Sequence, residues 1–204
     1  MSRTPGPAWG ALAGAVLFGV GTVGGNALVQ VSVDGWPDDA ARLTDPATYR
    51  LAAPATVAAA VGLLLLVAVA VRYRPVSRVV ATAAGGAGAG ALLLLAGVRY
   101  AVPDLARTAP EVAGPLSTAA ASGCAFAAFV ALGVALVAAP GPAGAVRALG
   151  RTAGGCCVLG PLASAGVSAI DTGAGYGVAV ASTGVGVLLV TAWGLSLAGS
   201  LRRP

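Results

Sequence analysis

Gly19–Arg50 reads GVGTVGGNALVQVSVDGWPDDAARLTDPATYR. Its first half completes an apolar run that begins at Ala8. Its second half, Val31–Arg50, is the longest polar interruption in the chain and holds four of the seven acidic residues, Asp34, Asp38, Asp39 and Asp45. A long apolar run followed by a polar loop is the pattern of a membrane span and its connection. The rest of the chain repeats it.

Composition explains why. The 204 residues are 57% hydrophobic and only 9% charged, with a mean hydropathy of +0.88. Soluble domains carry about 25% charged residues, and a water-soluble fold of this size has no other way to cover its surface. A helix needs about 20 apolar residues to cross a bilayer. Runs of that order lie at residues 8–29, 51–71, 79–98, 116–139, 153–170 and 178–201. They predict an all-α, polytopic bundle of six transmembrane helices in a single membrane domain. Pro161 predicts a kink in the fifth helix or a break into two half-helices. In the loop at 31–50, Asp38 or Asp39 after Pro37, and Asp45 before Pro46, are helix-capping signals. They predict short interfacial helical turns, with Trp36 and Tyr49 at headgroup level.

The net charge of +5 comes from arginine alone, since the chain has neither lysine nor histidine. The arginines lie between apolar runs and form no basic face, which argues against nucleic acid and for orientation in a membrane. Six spans put both termini on one side. With that side cytoplasmic, Arg3, Arg72, Arg74, Arg78, Arg147, Arg151, Arg202 and Arg203 lie inside, and Arg42, Arg50, Arg99 and Arg107 outside. All seven acids, the other three being Asp104, Glu111 and Asp171, then fall outside. A secretory signal is the rival reading of the first run, but the run is longer than such a segment and no A-x-A site follows.

Several motif-like strings dissolve on inspection. Gly19-x-Gly21-x-x-Gly24 matches a dinucleotide fingerprint but lacks the strand that the motif needs. Asp38-Asp39 is not followed by the third acid of a DDxxD site. Thr172–Gly177, TGAGYG, is similar to a potassium filter loop, yet treating the fifth run as a pore helix inverts the arginine bias. The three cysteines, Cys124, Cys156 and Cys157, sit in apolar runs without metal-ligand spacing and read as packing residues. No residue pattern resembles that of a particular family.

The missing residue types limit the chemistry. Without histidine there is no imidazole base, and without lysine no Schiff base. No acid lies inside a run, which disfavours a carboxylate proton relay. No cofactor or metal site is expected. What remains is polarity in the outer halves of the spans. Thr22, Asn26 and Gln30 recur every four residues and share a face of the first helix. Ser164, Ser168 and Thr172 do the same near the end of the fifth, beside Asp171. These seven residues are the candidate lining of a cavity open to the outside and roofed by residues 31–50.

Three functions fit. The first is a non-catalytic accessory or scaffold subunit, packing through Gly/Ala faces against another membrane protein or a second copy of itself. The second is a small transporter or permease-like protein using the outer cavity. The third is an outer-face membrane enzyme relying on loop carboxylates. In each case the bilayer is the immediate partner and the expected location is the cell membrane. The Ala/Gly/Arg-rich, lysine-free composition suggests a GC-rich bacterial genome.

Overall fold

The computed structural model describes residues 6–32, 43–73, 75–142 and 144–202. They form six helices: α1 (Gly6–Val31), α2 (Pro46–Ala70), α3 (Arg78–Thr108), α4 (Pro110–Ala138), α5 (Ala145–Ser168) and α6 (Thr172–Arg202). All but α5 are long and apolar enough to cross a membrane, consistent with a multi-pass membrane protein.

Local chemistry sets the helix starts. The Asp45 carboxylate accepts hydrogen bonds from the amides of Ala47 and Thr48, and Pro46 occupies the first turn. This answers two of the amides that a helix start leaves unpaired. Ser77 Oγ accepts from the Val80 amide at the start of α3, and Asp171 Oδ1 from the Ala174 amide at the start of α6. The expected caps at Asp38 and Asp39, and Trp36, lie outside the described residues. The two ends of that loop are held together, because the Ser32 carbonyl accepts from both the amide and the hydroxyl of Thr44.

The helices exceed the apolar runs. Residues 99–115, between the third and fourth apolar runs, are no loop but the end of α3 and the start of α4, meeting at Ala109. Asp104, Arg107 and Glu111 there sit on helix surfaces, and Pro110 takes a first-turn position where its missing amide costs nothing. The Thr172–Gly177 turn is likewise the first part of α6. Helix α5 runs through Pro161 as one element and is not two half-helices.

Each helix packs on its neighbours in sequence, and α6 closes the ring against α1. Successive helices run antiparallel. The Arg202 guanidinium lies 4.7 Å from the centre of the Trp9 ring, so α1 begins where α6 ends. Arg72, Arg78, Arg147 and Arg151 cluster at that arginine end, whereas Asp45, Asp104, Glu111 and Asp171 lie at the opposite, acidic end. Small residues bring the backbones together. A Cβ on Gly62 of α2 would collide with the backbone of Phe18 in α1, and one on Gly133 of α4 would stand 2.6 Å from the Gly154 carbonyl of α5.

Packing differs between the two ends. At the arginine end Trp193 of α6 is fully buried, and its indole N–H donates to the Pro140 carbonyl at 2.9 Å. Gly141, with φ +102°, makes the bend beside it, and the Val76 amide donates to the Ala138 carbonyl at 2.7 Å. Toward the acidic end α5 and α6 lose their neighbours. The buried residues of α5 are Gly150, Ala153, Gly154 and Cys157, none beyond its midpoint turn. Those of α6 are Gly186 and six residues beyond it, plus Gly175, which sits on Ser168 of α5. Among the described residues, the α5–α6 hairpin is therefore buried in the bundle mainly by its arginine-end half.

Candidate functional site

The apolar inward stripe of α3 runs through Gly85, Gly88, Leu92, Leu95 and Ala96, and its next member is Arg99. The helical period thus carries a cation into the bundle. Arg99 lies about 13 Å along the axis from the end of α3 at Thr108, and is only 6% exposed. Its Nη1 donates to Thr56 Oγ1 of α2 at 2.6 Å, and its Nη2 to Asn26 Oδ1 of α1 at 2.6 Å. The Thr56 hydroxyl spends its own proton on the Ala52 carbonyl at 2.7 Å, which leaves its lone pairs for the arginine. Gly25 makes the room, since a Cβ there would lie 3.0 Å from Nη1. One side chain thereby ties α3 to both α2 and α1.

Among the described residues no opposite charge answers Arg99. Both partners of Arg99 are neutral oxygens. Among the described residues the ion pairs are Arg50–Asp104 and Arg107–Asp104, neither involving Arg99. Burying an ion costs several kcal/mol unless an opposite charge or a full set of hydrogen bonds answers it, and an arginine offers five N–H donors. Intramembrane charges mark functional sites more often than structural ones.

Further polar links surround Arg99. The Tyr49 hydroxyl of α2 lies 2.8 Å from Ser117 Oγ of α4. Tyr49 is thus buried against another helix and does not float at headgroup level. Arg50 pairs with Asp104 of α3, and its guanidinium lies 5.8 Å from the centre of the Tyr100 ring. Nearer the surface, the Thr48 hydroxyl and amide hold the Asp45 carboxyl below its ordinary range.

The seven expected cavity residues fall into two groups with different neighbours. Asn26 binds Arg99. Thr22 Oγ1, one turn deeper on α1, is buried and has no hydrogen-bond partner among the described residues, and Gln30 is exposed near the end of the helix. Ser164 Oγ instead donates to the Gly175 carbonyl at 2.9 Å, Ser168 packs on Gly175, and Asp171 caps α6. Thr172 begins α6 and is exposed. The first group works with α3, the second holds the α5–α6 turn.

Arg99, Thr56 and the Tyr49–Ser117 pair escape a linear reading. Ending the third run at its first charge puts Arg99 in a loop. The signal against this is Tyr100–Pro103, which continues the apolar pattern and places Arg99 three and four residues after Ala96 and Leu95.

Comparison with known proteins returns nothing for this chain: no family model fits it, and no curated protein or solved structure matches it.

Proposed function

We propose that the chain is a six-span protein of the cell membrane, with both termini in the cytoplasm, acting as a non-catalytic accessory subunit that docks other membrane helices on the outward face of α3. The observation that carries this reading is how glycine is used. Gly14, Gly21, Gly62, Gly133 and Gly154 are consumed by packing inside the bundle, but Gly86, Gly90 and Gly97 of α3 have open space where a Cβ would stand. Gly86 and Gly90 have the four-residue spacing through which membrane helices approach closely. Ala83 and Ala87 beside them are exposed, and a shallow recess of about 450 Å³ lined by Arg78, Val79, Thr82 and Ala83 opens at the start of the same helix.

Topology has separate support. Helix α5 stays beside α6 from Gly150 at Trp193 to Ser168 at Gly175, about 27 Å of shared length, which favours a sixth span despite Arg147 and Arg151. With Arg99 inside the bundle, the described arginines left to orient the chain are Arg50 and Arg107 at the acidic end, against Arg72, Arg78, Arg147, Arg151 and Arg202 at the other. This sharpens the cytoplasmic assignment of the arginine end.

The test is purification from native membranes in mild detergent. A partner, or a second copy, should accompany the wild type and be lost from a Gly86→Leu/Gly90→Leu variant of unchanged helicity. A wild type that elutes alone and monomeric would sink the reading. A second reading, a small transporter or permease-like protein with an outward-facing polar site, is favoured by the Arg99–Asn26 hydrogen bond. There, substrate flux should fall in Asn26→Leu.

A further inference from the structure

We propose that Arg99 and Asn26 form a receptor for an oxyanion, the phosphate or carboxylate headgroup of an anionic amphiphile, reached from the acidic-end leaflet through the gap between α1 and α6. The inference deepens the second reading above. Its readout is binding and not flux, so a protein that fails to transport leaves it standing.

Charge gives the ligand its sign. The Arg99 guanidinium uses two of its N–H groups on neutral acceptors and faces no carboxylate among the described residues. The remaining donors suit the planar, two-point geometry of a carboxylate or phosphate. Asn26 adds to them. Its oxygen is engaged by Arg99, its amide nitrogen makes no hydrogen bond among the described residues, and the residue as a whole is exposed although it reaches a buried partner. Asn26 is therefore the accessible edge of the site and Arg99 its floor. Thr22 Oγ1, buried without a partner among the described residues one turn deeper on the same helix, is a further polar atom that apolar packing leaves unanswered.

The path follows from the α1–α6 seam. Contacts of Trp9 with Arg202, Ala15 with Gly194 and Gly19 with Thr191 set the seam; continuing it by steps of three and four puts Thr22 and Asn26 of α1 opposite Val187, Gly184, Val180 and Gly177 of α6. The lower part is closed. A Cβ on Gly194 would stand 2.8 Å from that of Ala15, and one on Gly19 2.8 Å from the Thr191 hydroxyl. Val187 is still buried. Beyond it Gly184 and Val180 are exposed, and Cβ positions on Gly184 and Gly177 meet nothing within 4 Å. The helices part at the level of Thr22, just below Asn26. The flanks of the opening are apolar, with Val23, Val180 and Leu188 all more than half exposed. A cationic floor under apolar walls open to the side fits a headgroup with an acyl tail better than a free ion.

The experiment uses the full chain in nanodiscs of phosphatidylcholine with a minor fraction of phosphatidylglycerol, and native mass spectrometry of the lipids retained. The wild type should keep phosphatidylglycerol over phosphatidylcholine. Arg99→Gln should lower that preference by about tenfold, the order expected for a charge-assisted hydrogen bond. Arg107→Gln, at an exposed arginine of the same end, should not. Because Arg99→Gln disturbs a buried network, Asn26→Asp is the second variant. It supplies an internal counter-charge, so it should keep the fold, raise the melting temperature in zwitterionic detergent and abolish the preference. Equal losses in Arg99→Gln and Arg107→Gln, or a preference that survives Asn26→Asp, would overturn the proposal. Titration with inorganic phosphate separates the two sources. Saturable phosphate binding without lipid preference refutes the amphiphile.

Discussion

Helices α1–α4 and the α5–α6 hairpin have similar composition and meet the same membrane, yet at the acidic end they are built differently. The first four are laced across by Arg99 to Asn26 and Thr56, by Tyr49 to Ser117, and by Arg50 to Asp104. In the hairpin the corresponding bond is internal, from Ser164 Oγ to the Gly175 carbonyl. Lipid is as apolar as leucine, so apolar side chains alone give helices no reason to stay together in a bilayer. Close backbone approach and hydrogen bonds do, and where both are lacking the helices diverge.

The steepest way to probe that difference is to place the same side chain at a closed and at an open glycine of the hairpin. A Cβ on Gly150 would run into the Pro140 carbonyl and stand 2.7 Å from the Trp193 indole nitrogen, whereas one on Gly184 has free space. Gly150→Val should lose roughly 3 kcal/mol or more, as overpacking of a dense site does, and Gly184→Val should stay within about 0.5 kcal/mol. Thermal unfolding in detergent, followed by helical circular dichroism, measures both. Similar losses would mean that α6 is packed along its whole length.

Next comes the lacing of α1–α4. Thr56→Val keeps the shape of the side chain and removes one acceptor from Arg99. A loss of about 1–2 kcal/mol in the same assay is expected, at the upper end of membrane hydrogen bonds because one partner is charged. A negligible change would show that the arginine finds another acceptor. The smallest effect belongs to Asp45. Its folded carboxyl titrates below the ordinary value of 3.8, chiefly through the Thr48 hydroxyl. Its contribution is therefore present above that value and disappears as pH falls through the lower, folded one. Asp45→Asn should leave stability unchanged in strong acid and lower it slightly at neutral pH, with the difference opening as pH rises through the acid range.

What was legible in the sequence was local. Asp45-Pro46 announced the start of α2, and the apolar runs located six helices, because capping and hydrophobic length depend on neighbours in the chain. Arg99 was misread for the opposite reason. Whether a charge at the edge of an apolar run lies in a loop or inside a bundle depends on acceptors such as Thr56 and Asn26, 43 and 73 residues away. Tyr49 and Trp193 follow the same logic: an aromatic with a polar tip reads as interfacial until a Ser117 hydroxyl or a Pro140 carbonyl is found for it. The polar rows were read as faces from their period, but period alone does not say which helix a face meets, nor that Thr172 belongs to α6 and not to α5.

The pairing of α6 with α1 has a consequence for how the protein is made. A ribosome delivers α1 first and α6 after all the others, so the α1 stripe from Ala8 to Asn26 spends the synthesis of the intervening helices without its final neighbour. Its polar end is not left bare in that interval, because Arg99 arrives with α3 and takes up Asn26 before the hairpin exists. The first four helices can thus settle as a laced unit in the bilayer, against which the last two bury their small-residue half.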